Sequence, residues 1–396
     1  MERLRIWFYK NIQQVDSKFK RYLWNQIQWK NRLVIIIGAR GVGKTTLMLQ
    51  YIKQNLPINE QTLYASLDDI FFANHTLIYF AEEFVKRGGK YLFLDEVQKY
   101  KNWSVEVKSI YDNFPDLQLV LSGSSAIELL KSEGDLSRRG LYYQLKGLSF
   151  REYLNFTLDS SLEAISLEQI LNNGTELSLT INEKIKTIGQ FEQYLQTGYY
   201  PFFKEDITTY YKRIAQVINT VLEVDIHNTY SIDAGATISI KKLLAEIVEM
   251  VPFKPNVKKL SEKIGVSRDS LVKYLKLLEK AEIISMVYSQ TKGVSILNKP
   301  EKIYLNNSNL AHALNNNVNQ GSVREAFFVN QLSLKHKIRY SHQGDFIVDD
   351  TYTFEVGGKN KNNKQISGVL NSWIVADNLE IAVGNKIPLW LVGFNY

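Results

Sequence analysis

The chain has 396 residues, of which 45% are hydrophobic and 22% charged, and its formal net charge is +7. This length exceeds the usual size of one compact domain, roughly 100–200 residues, so several domains are expected. The absence of cysteine excludes disulfides, thiolate zinc sites and cysteine nucleophiles. The apolar run Leu33 to Ile37 is far shorter than the ~20 residues needed to span a bilayer. We therefore expect a soluble, cytoplasmic protein without a membrane partner.

Up to about residue 150, short apolar strands alternate with helical segments. Strands are predicted in RLVIII, TLYASLDD, YLFLDE and LQLVLSG, and helices in TLMLQYIKQNL, LIYFAEEFVKRG and WSVEVKSIYDNF. Strands that are apolar throughout indicate a parallel sheet that is covered on both faces. The pattern therefore predicts an α/β fold in residues 1–150.

The segment Gly38-Ala39-Arg40-Gly41-Val42-Gly43-Lys44-Thr45 fits the pattern GxxxxGK[ST] and lies between a predicted strand and a predicted helix. Glycines let such a loop turn tightly and bring its backbone N–H groups to phosphates, which the helix N-terminus also favours. In this pattern the lysine contacts the β- and γ-phosphates and the Thr45 hydroxyl is a Mg²⁺ ligand. The segment predicts a P-loop that binds ATP with Mg²⁺, and it does not distinguish ATP from GTP.

The apolar strand Tyr91 to Leu94 is followed by Asp95 and Glu96. A carboxylate at the carboxyl end of a parallel strand lies where ligands gather, beside the predicted P-loop. Asp95 is predicted to hold Mg²⁺, and Glu96 to act as the general base that polarises the attacking water. This pair favours a hydrolase over a protein that only binds nucleotide.

Polar residues follow the next predicted strand, and two arginines follow those. Ser122 and Ser124 are candidate sensors of the γ-phosphate or the attacking water, although a serine here could equally cap a helix. Arg138 and Arg139 could neutralise charge in the transition state, within one chain or from a neighbouring subunit. We prefer Arg139 for this role.

Residues 151–235 are predicted to be helical and to form a lid or connector, and residues 236–312 a winged helix-turn-helix domain. In the second segment, a helix, a turn at Gly265, a helix capped by Ser267 and a strand follow one another. The outward side chains Arg268, Lys273 and Lys276 are candidate DNA contacts. Docking of a protein and simple solvation of a basic helix face remain alternatives.

The last segment, residues 313–396, contains Glu325, Asp345 and Glu355. An endonuclease-like fold holds Mg²⁺ with an Asp and a Glu on adjacent strands and uses a lysine two residues after the Glu. Asp345 and Glu355 are the candidate second metal site, but glycine occupies the position where that lysine is expected. The nearest lysine, Lys359, follows a glycine pair that should bend or end the strand. The pattern indicates a degenerate site.

The chain resembles bacterial and archaeal AAA-type ATPases that carry a winged helix and a carboxy-terminal endonuclease-like domain. The resemblance rests on GARGVGKTTL, FLDEVQKYKNW, VLSGSSAIELL, SRRGLYYQLKGLSFREYL, TGYYPFF, FEVGGKNKNNKQ and IPLWLVGF. It implies an AAA/ASCE-type P-loop NTPase sheet with a helical lid, and contacts to the nucleotide from residue 38 through Thr46. It also implies an acidic pair at Asp95 and Glu96, a sensor at Ser122 or Ser124, and Arg139 as the arginine after the sensor helix. Larger relatives of this type often form rings, so a ring of several copies and a monomeric switch, in which ATP holds two domains together, are equally open expectations.

Together these features predict a Mg²⁺-dependent ATPase that drives a conformational switch, and coupling to double-stranded DNA is a further expectation. Two alternatives belong to other classes. One is a module that binds ATP without turnover and docks to DNA or a protein, and the other is a nuclease regulated by ATP.

Overall fold

The computed structural model describes residues 1–123, 136, 138–226, 232–251, 254–289, 299–315 and 317–396. The chain divides into two compact units, Met1–Gly147 and Leu148–Tyr396. No helix within the described ranges is both long enough and apolar enough to cross a membrane.

The first unit is built on one five-stranded sheet in the order β2-β3-β4-β1-β5, in which every pairing is parallel. Its strands are β1 Leu33–Ile37, β2 Thr62–Ser66, β3 Tyr91–Asp95, β4 Gln118–Gly123 and β5 Leu141–Gln144. Its helices are α1 Glu2–Gln14, α2 Lys44–Asn55, α3 Phe71–Asn74, α4 Leu77–Lys86 and α5 Trp103–Asn113.

The predicted parallel sheet is confirmed, because β1 is buried along its whole length and α2, α4 and α5 lie in the predicted helical segments. Helix α1 was not predicted. Its residues Leu4, Phe8 and Ile12 recur at the four-residue spacing that places side chains on one helix face. All three are buried, and the helix packs against β2 and α2.

The second unit contains a mixed five-stranded sheet, a two-stranded hairpin and several helices. The sheet has the order β12-β11-β10-β9-β8, with parallel pairing from β10 to β12 and antiparallel pairing from β8 to β10. Its helices are α6 Phe150–Leu158, α7 Leu167–Asn182, α8 Thr187–Thr197, α9 Tyr210–Thr220, α10 Ala234–Met250, α11 Val257–Ile264, α12 Arg268–Lys280, α13 Ser308–Leu314, α14 Gln320–Leu332 and α15 Leu389–Val392. Its strands are β6 Ile284–Val287, β7 Lys302–Leu305, β8 Ile338–Tyr340, β9 Phe346–Val348, β10 Tyr352–Gly357, β11 Ser372–Ala376 and β12 Lys386–Pro388.

Helices α6, α7 and α8 share one hydrophobic core with the carboxy-terminal sheet and α14. Phe150 and Tyr194 from these helices, for example, contact Phe327 or Phe394 with ring centroids 5.8 to 6.1 Å apart. The sequence predicted a lid over residues 151–235 that is separate from the last segment. Part of that predicted lid instead belongs to the core of the second unit, because its apolar faces are buried against the sheet at the end of the chain.

Helices α11 and α12 are followed by the antiparallel hairpin β6–β7. Leu271, Leu275 and Leu278 are each at most 2% exposed, so one face of α12 is buried and apolar. Gly265 takes a left-handed conformation (φ 78°) at the turn, and the Ser267 side chain caps α12 by accepting from the Ser270 N–H.

Candidate functional site

The glycines of the predicted P-loop are required by its geometry. A Cβ on Gly38 would lie 2.1 Å from the carbonyl oxygen of Leu145, and Gly41 and Gly43 have φ angles of 85° and 96°. Side chains are strongly disfavoured in such positions. These three glycines allow the short loop that connects the end of β1 to Lys44, the first residue of α2.

Lys44 turns back over this loop. Its Nζ donates to the carbonyl oxygens of Gly38 (2.9 Å) and Ala39 (2.8 Å), and the residue is only 5% exposed. These acceptors are uncharged, so they neutralise none of the charge on the ammonium. The lysine, the helix N-terminus and the glycine-rich backbone together supply the positive charge and the N–H donors that suit phosphate.

Asp95, at the end of β3, is the centre of a buried hydrogen-bond network. Its Oδ2 accepts from the Thr45 hydroxyl (2.5 Å) and the Tyr64 hydroxyl (2.7 Å). Its Oδ1 accepts from the Ser122 hydroxyl and from the Glu96 N–H. Burial, followed by the nearby Asp95 carboxylate, raises the pKa of Tyr64 well above its ordinary value, so this hydroxyl stays a donor. The role of Tyr64 was not predicted, because no local motif marks it.

The residues predicted to hold Mg²⁺ fit that ion. A hydroxyl oxygen from Thr45 and a carboxylate oxygen from Asp95 lie side by side beneath the loop. Mg²⁺ prefers oxygen ligands and usually takes one or two from the protein, the others coming from phosphates and water. Two protein oxygens are therefore enough here.

Glu96 follows Asp95 in a left-handed backbone conformation, with φ 52°. Non-glycine residues seldom adopt this conformation, and it occurs often at functional sites. The Glu96 carboxylate accepts from Gln98 (2.6 Å) and forms an ion pair with Arg40 of the loop (3.3 Å). The predicted general base is thus tied to the predicted nucleotide-binding loop.

Arg21 joins that loop to the end of the first unit. Its guanidinium donates to the carbonyl of Val42 in the loop and to the carbonyls of Lys146 (2.6 Å) and Gly147 (3.0 Å). Arg21 is 5% exposed. No local motif in the sequence marks Arg21.

Of the other predicted site residues of the first unit, Ser122 contacts the acidic pair, whereas Arg139 is paired with a different carboxylate. Ser122 lies within β4, and its hydroxyl donates to Asp95. Ser124 lies outside the described residues. Arg139 forms a bidentate ion pair with Asp112 on α5, with both contacts at 3.0 Å, and this pair lowers the pKa of Asp112.

In the second unit, Arg268, Lys273 and Lys276 are exposed on α12, as predicted. The three side chains lie in the first three turns of the helix, where Asp269 is also exposed, so this stretch has a net positive charge and is called the basic surface below. No DNA is needed to explain their exposure, and their predicted contacts to DNA stay a prediction.

The carboxy-terminal carboxylates are paired with lysines. Lys302 on β7 lies between Glu325 (2.8 Å) and Asp345 (3.0 Å), and Lys361 forms an ion pair with Glu355. Lys359 is exposed, so the lysine that reaches Glu355 is six residues after it and not four. Burial raises the pKa of Glu355, and Lys361 offsets part of that effect.

The glycine pair explains this displacement. Strand β10 ends at Gly357, as predicted, and a Cβ there would lie 2.7 Å from the Lys361 side chain. The chain turns back at this point, which brings Lys361 over the end of the strand. Within the described ranges, no group of three or more His, Asp or Glu side chains is arranged to hold a metal.

Comparison with known families gives two matches. Residues 30–154 match the model of an AAA domain, and residues 188–321 match that of a domain of unknown function. Two uncharacterized proteins of Methanocaldococcus jannaschii are similar: MJ1637 is 26% identical over 73% of this chain, and MJ1544 is 25% identical over 80%. The chain spans 63% of the length of the first relative and 72% of the second.

Similar solved structures include the Walker-type ATPase PABY2304 of Pyrococcus abyssi, with 12% identity and a TM-score of 0.44. That match covers 75% of this chain and 95% of the other. AMPPCP-bound DnaA from Aquifex aeolicus has 14% identity and a TM-score of 0.24, over 70% of this chain and 88% of the other. These overall similarities are too low to carry an argument about function. Residues 30–154 thus match an AAA domain, and the parallel sheet with its glycine loop has the arrangement of a P-loop NTPase fold.

Proposed function

We propose that this chain binds ATP with Mg²⁺ and hydrolyses it to ADP and phosphate, and that this reaction drives a conformational switch. The observation that carries the proposal is the meeting of Thr45 and Asp95, at 2.5 Å, beneath the glycine loop. Two oxygens suited to Mg²⁺ there adjoin Lys44, which suits phosphate, and Glu96, which suits water activation.

Each residue has a distinct task in the proposed reaction. The loop from Gly38 to Thr46 surrounds the phosphates with backbone N–H groups, and Lys44 neutralises charge on the β- and γ-phosphates. Thr45 and Asp95 would hold Mg²⁺, which would supply positive charge next to the phosphates. Glu96 would orient the attacking water and accept its proton.

The test is steady-state phosphate release from ATP by the full chain. Glu96→Gln should reduce turnover by about 10²–10³-fold while ATP still binds, because the amide cannot accept the proton. The exposed Glu163→Gln is the matched control and should behave like the wild type. Tight ATP binding by the wild type without turnover, with or without DNA, would instead support the non-hydrolysing module.

Coupling to double-stranded DNA is the second part of the proposal. Its support is the order α11, α12 and hairpin β6–β7, which fits a winged helix, together with the basic surface of Arg268, Lys273 and Lys276. Alanine at all three positions should weaken DNA binding and reduce the slope of its salt dependence by about 3 if all three contact phosphates. Lys184→Ala with Lys186→Ala, at exposed lysines elsewhere in the second unit, is the control.

Arg139 is proposed to act near the transition-state phosphate, within one chain or from a neighbouring copy. Its support is its place after the fourth strand of an AAA-type sheet and its position near the surface, with a side chain 27% exposed. Sedimentation of the protein with and without ATP separates a monomer from a ring. Loss of turnover in Arg139→Ala, restored by mixing with Glu96→Gln chains, would show that the arginine acts between copies.

A further inference from the structure

The carboxylates of Glu325 and Asp345 both contact the ammonium group of Lys302. The ammonium of Lys302 lies 2.8 Å from Glu325 Oε2 and 3.0 Å from Asp345 Oδ1. The three side chains are only 15 to 20% exposed. They come from three separate elements: β7, α14 and the residue before β9.

The remaining contacts of these carboxylates fix them around that ammonium. The Tyr304 hydroxyl donates to Glu325 Oε2, the same oxygen that Lys302 contacts. The Val356 N–H donates to Asp345 Oδ2 (2.9 Å), so the other oxygen of Asp345 is directed at Lys302. The Lys302 Nζ also lies 5.4 Å from the centre of the Phe346 ring. Aromatic rings at this distance attract a cation.

A divalent metal does not fit this arrangement. Protein oxygens approach Mg²⁺ at about 2.1 Å, so a metal bridging the two carboxylates would occupy the space that holds the ammonium. Like charges at such short distance repel strongly where water is restricted. The third carboxylate, Glu355, is fully buried and is paired with Lys361 and with the Gln365 amide, oriented to donate.

We infer that Lys302 is an internal cation that takes the place of a divalent metal between Glu325 and Asp345, and that it fastens the β6–β7 hairpin to α14 and the start of β9. The site is thus closed to metal while the hairpin stays in this position. This inference does not depend on ATP hydrolysis by the first unit. It opposes the hypothesis of a metal-dependent nuclease regulated by ATP.

The experiment uses Mn²⁺ as the probe and the full chain without nucleotide. Electron paramagnetic resonance measures the free ion while protein is titrated, and melting temperature is recorded with and without Mn²⁺. Wild type and Asp345→Asn should bind the ion equally, since Asp345 is not available to it. Lys302→Met should gain a Mn²⁺ site, and its melting temperature should rise when the ion is added.

Two variants show whether the gained site is the one described. Lys302→Met combined with Asp345→Asn should lose the added Mn²⁺, and Lys359→Met, which removes an exposed lysine of the same unit, should gain none. If Lys302→Met does not fold, Lys302→Gln replaces it, because its amide can still donate to one carboxylate.

Two results would overturn the inference. One is wild-type binding of Mn²⁺ that Asp345→Asn abolishes, because the ion would then share the site with Lys302. The other is a folded Lys302 variant that binds no more Mn²⁺ than wild type, because the lysine would then be a structural ion pair at a site unsuited to metal.

Discussion

Two lysines, one in each unit, have limited exposure and different partners. Lys44 in the first unit donates to the uncharged carbonyls of Gly38 and Ala39, whereas Lys302 in the second unit lies between the carboxylates of Glu325 and Asp345. A charged partner binds an ammonium more strongly than a neutral one. The two carbonyl contacts of Lys44 can therefore yield to an anionic ligand, whereas the two carboxylates hold Lys302 where it is.

The largest loss of ATP turnover is expected on substitution of Lys44. Lys44→Met should reduce phosphate release by about 10³-fold, because the charge that faces the transferred phosphate is lost in a site with little water. Turnover is measured at saturating ATP, and urea unfolding is measured alongside. The comparison of the two lysines fails if Lys44→Met loses more stability than Lys302→Met.

Lys302→Met should reduce stability and leave ATP turnover nearly unchanged, the opposite of what is expected for Lys44→Met. Without added metal, it should lower the free energy of unfolding by about 3 kcal/mol, because two poorly exposed carboxylates lose their partner. ATP turnover per folded chain should stay close to wild type. The exposed Lys359→Met should change stability by less than about 0.5 kcal/mol, and equal effects at both positions would contradict the role given to Lys302.

The pair of Arg40 and Glu96 allows a finer test of the first unit. A double-mutant cycle with Arg40→Ala and Glu96→Gln should give a coupling of about 1–2 kcal/mol in ATP binding. The reason is that a phosphate can attract Arg40 only by competing with the Glu96 carboxylate. Calorimetry of the four proteins measures the coupling, and additive effects would mean that the ion pair does not influence binding.

The smallest changes in stability and turnover are expected on substitution of Tyr64. Tyr64→Phe removes one of the hydrogen bonds to Asp95 and should lower the free energy of unfolding by about 1 kcal/mol. Turnover should fall only a few-fold, since Thr45 and Ser122 still orient the carboxylate. Tyr79→Phe, at a half-exposed tyrosine on α4, is the matched control. A loss as large as that of Lys44→Met would require a direct role for Tyr64 in catalysis.

The first unit could be predicted well because its signals are local. Apolar strands, the glycine loop and the acidic pair after β3 each occupy a few consecutive residues, and parallel strands bring their carboxyl ends to one edge. Tyr64 and Arg21 escaped prediction because their roles depend on partners 31 and more than 100 residues away.

The site of the second unit could be predicted only in part, because its residues also have partners that are distant in sequence. The carboxylates were identified from sequence, but Lys302 lies 23 and 43 residues away from them along the chain. Lys361 was missed because spacing on an extended strand does not apply after the chain turns at Gly357. The grouping of α6, α7 and α8 with the last sheet likewise depends on packing between distant segments.

Arg21 connects two parts of the first unit that are far apart in sequence, the glycine loop and the last two residues. One rigid, planar guanidinium bonds to the loop at Val42 and to the last two residues of the unit, Lys146 and Gly147. A ligand that displaces the Val42 carbonyl must either stretch these bonds or carry residues 146 and 147 with it. If a bound ligand moves residues 146 and 147 in this way, reciprocity requires that a shift of these two residues changes the affinity of the loop by the same free energy. One side chain, Arg21, thus links the position of the loop to the position of the last two residues of the unit.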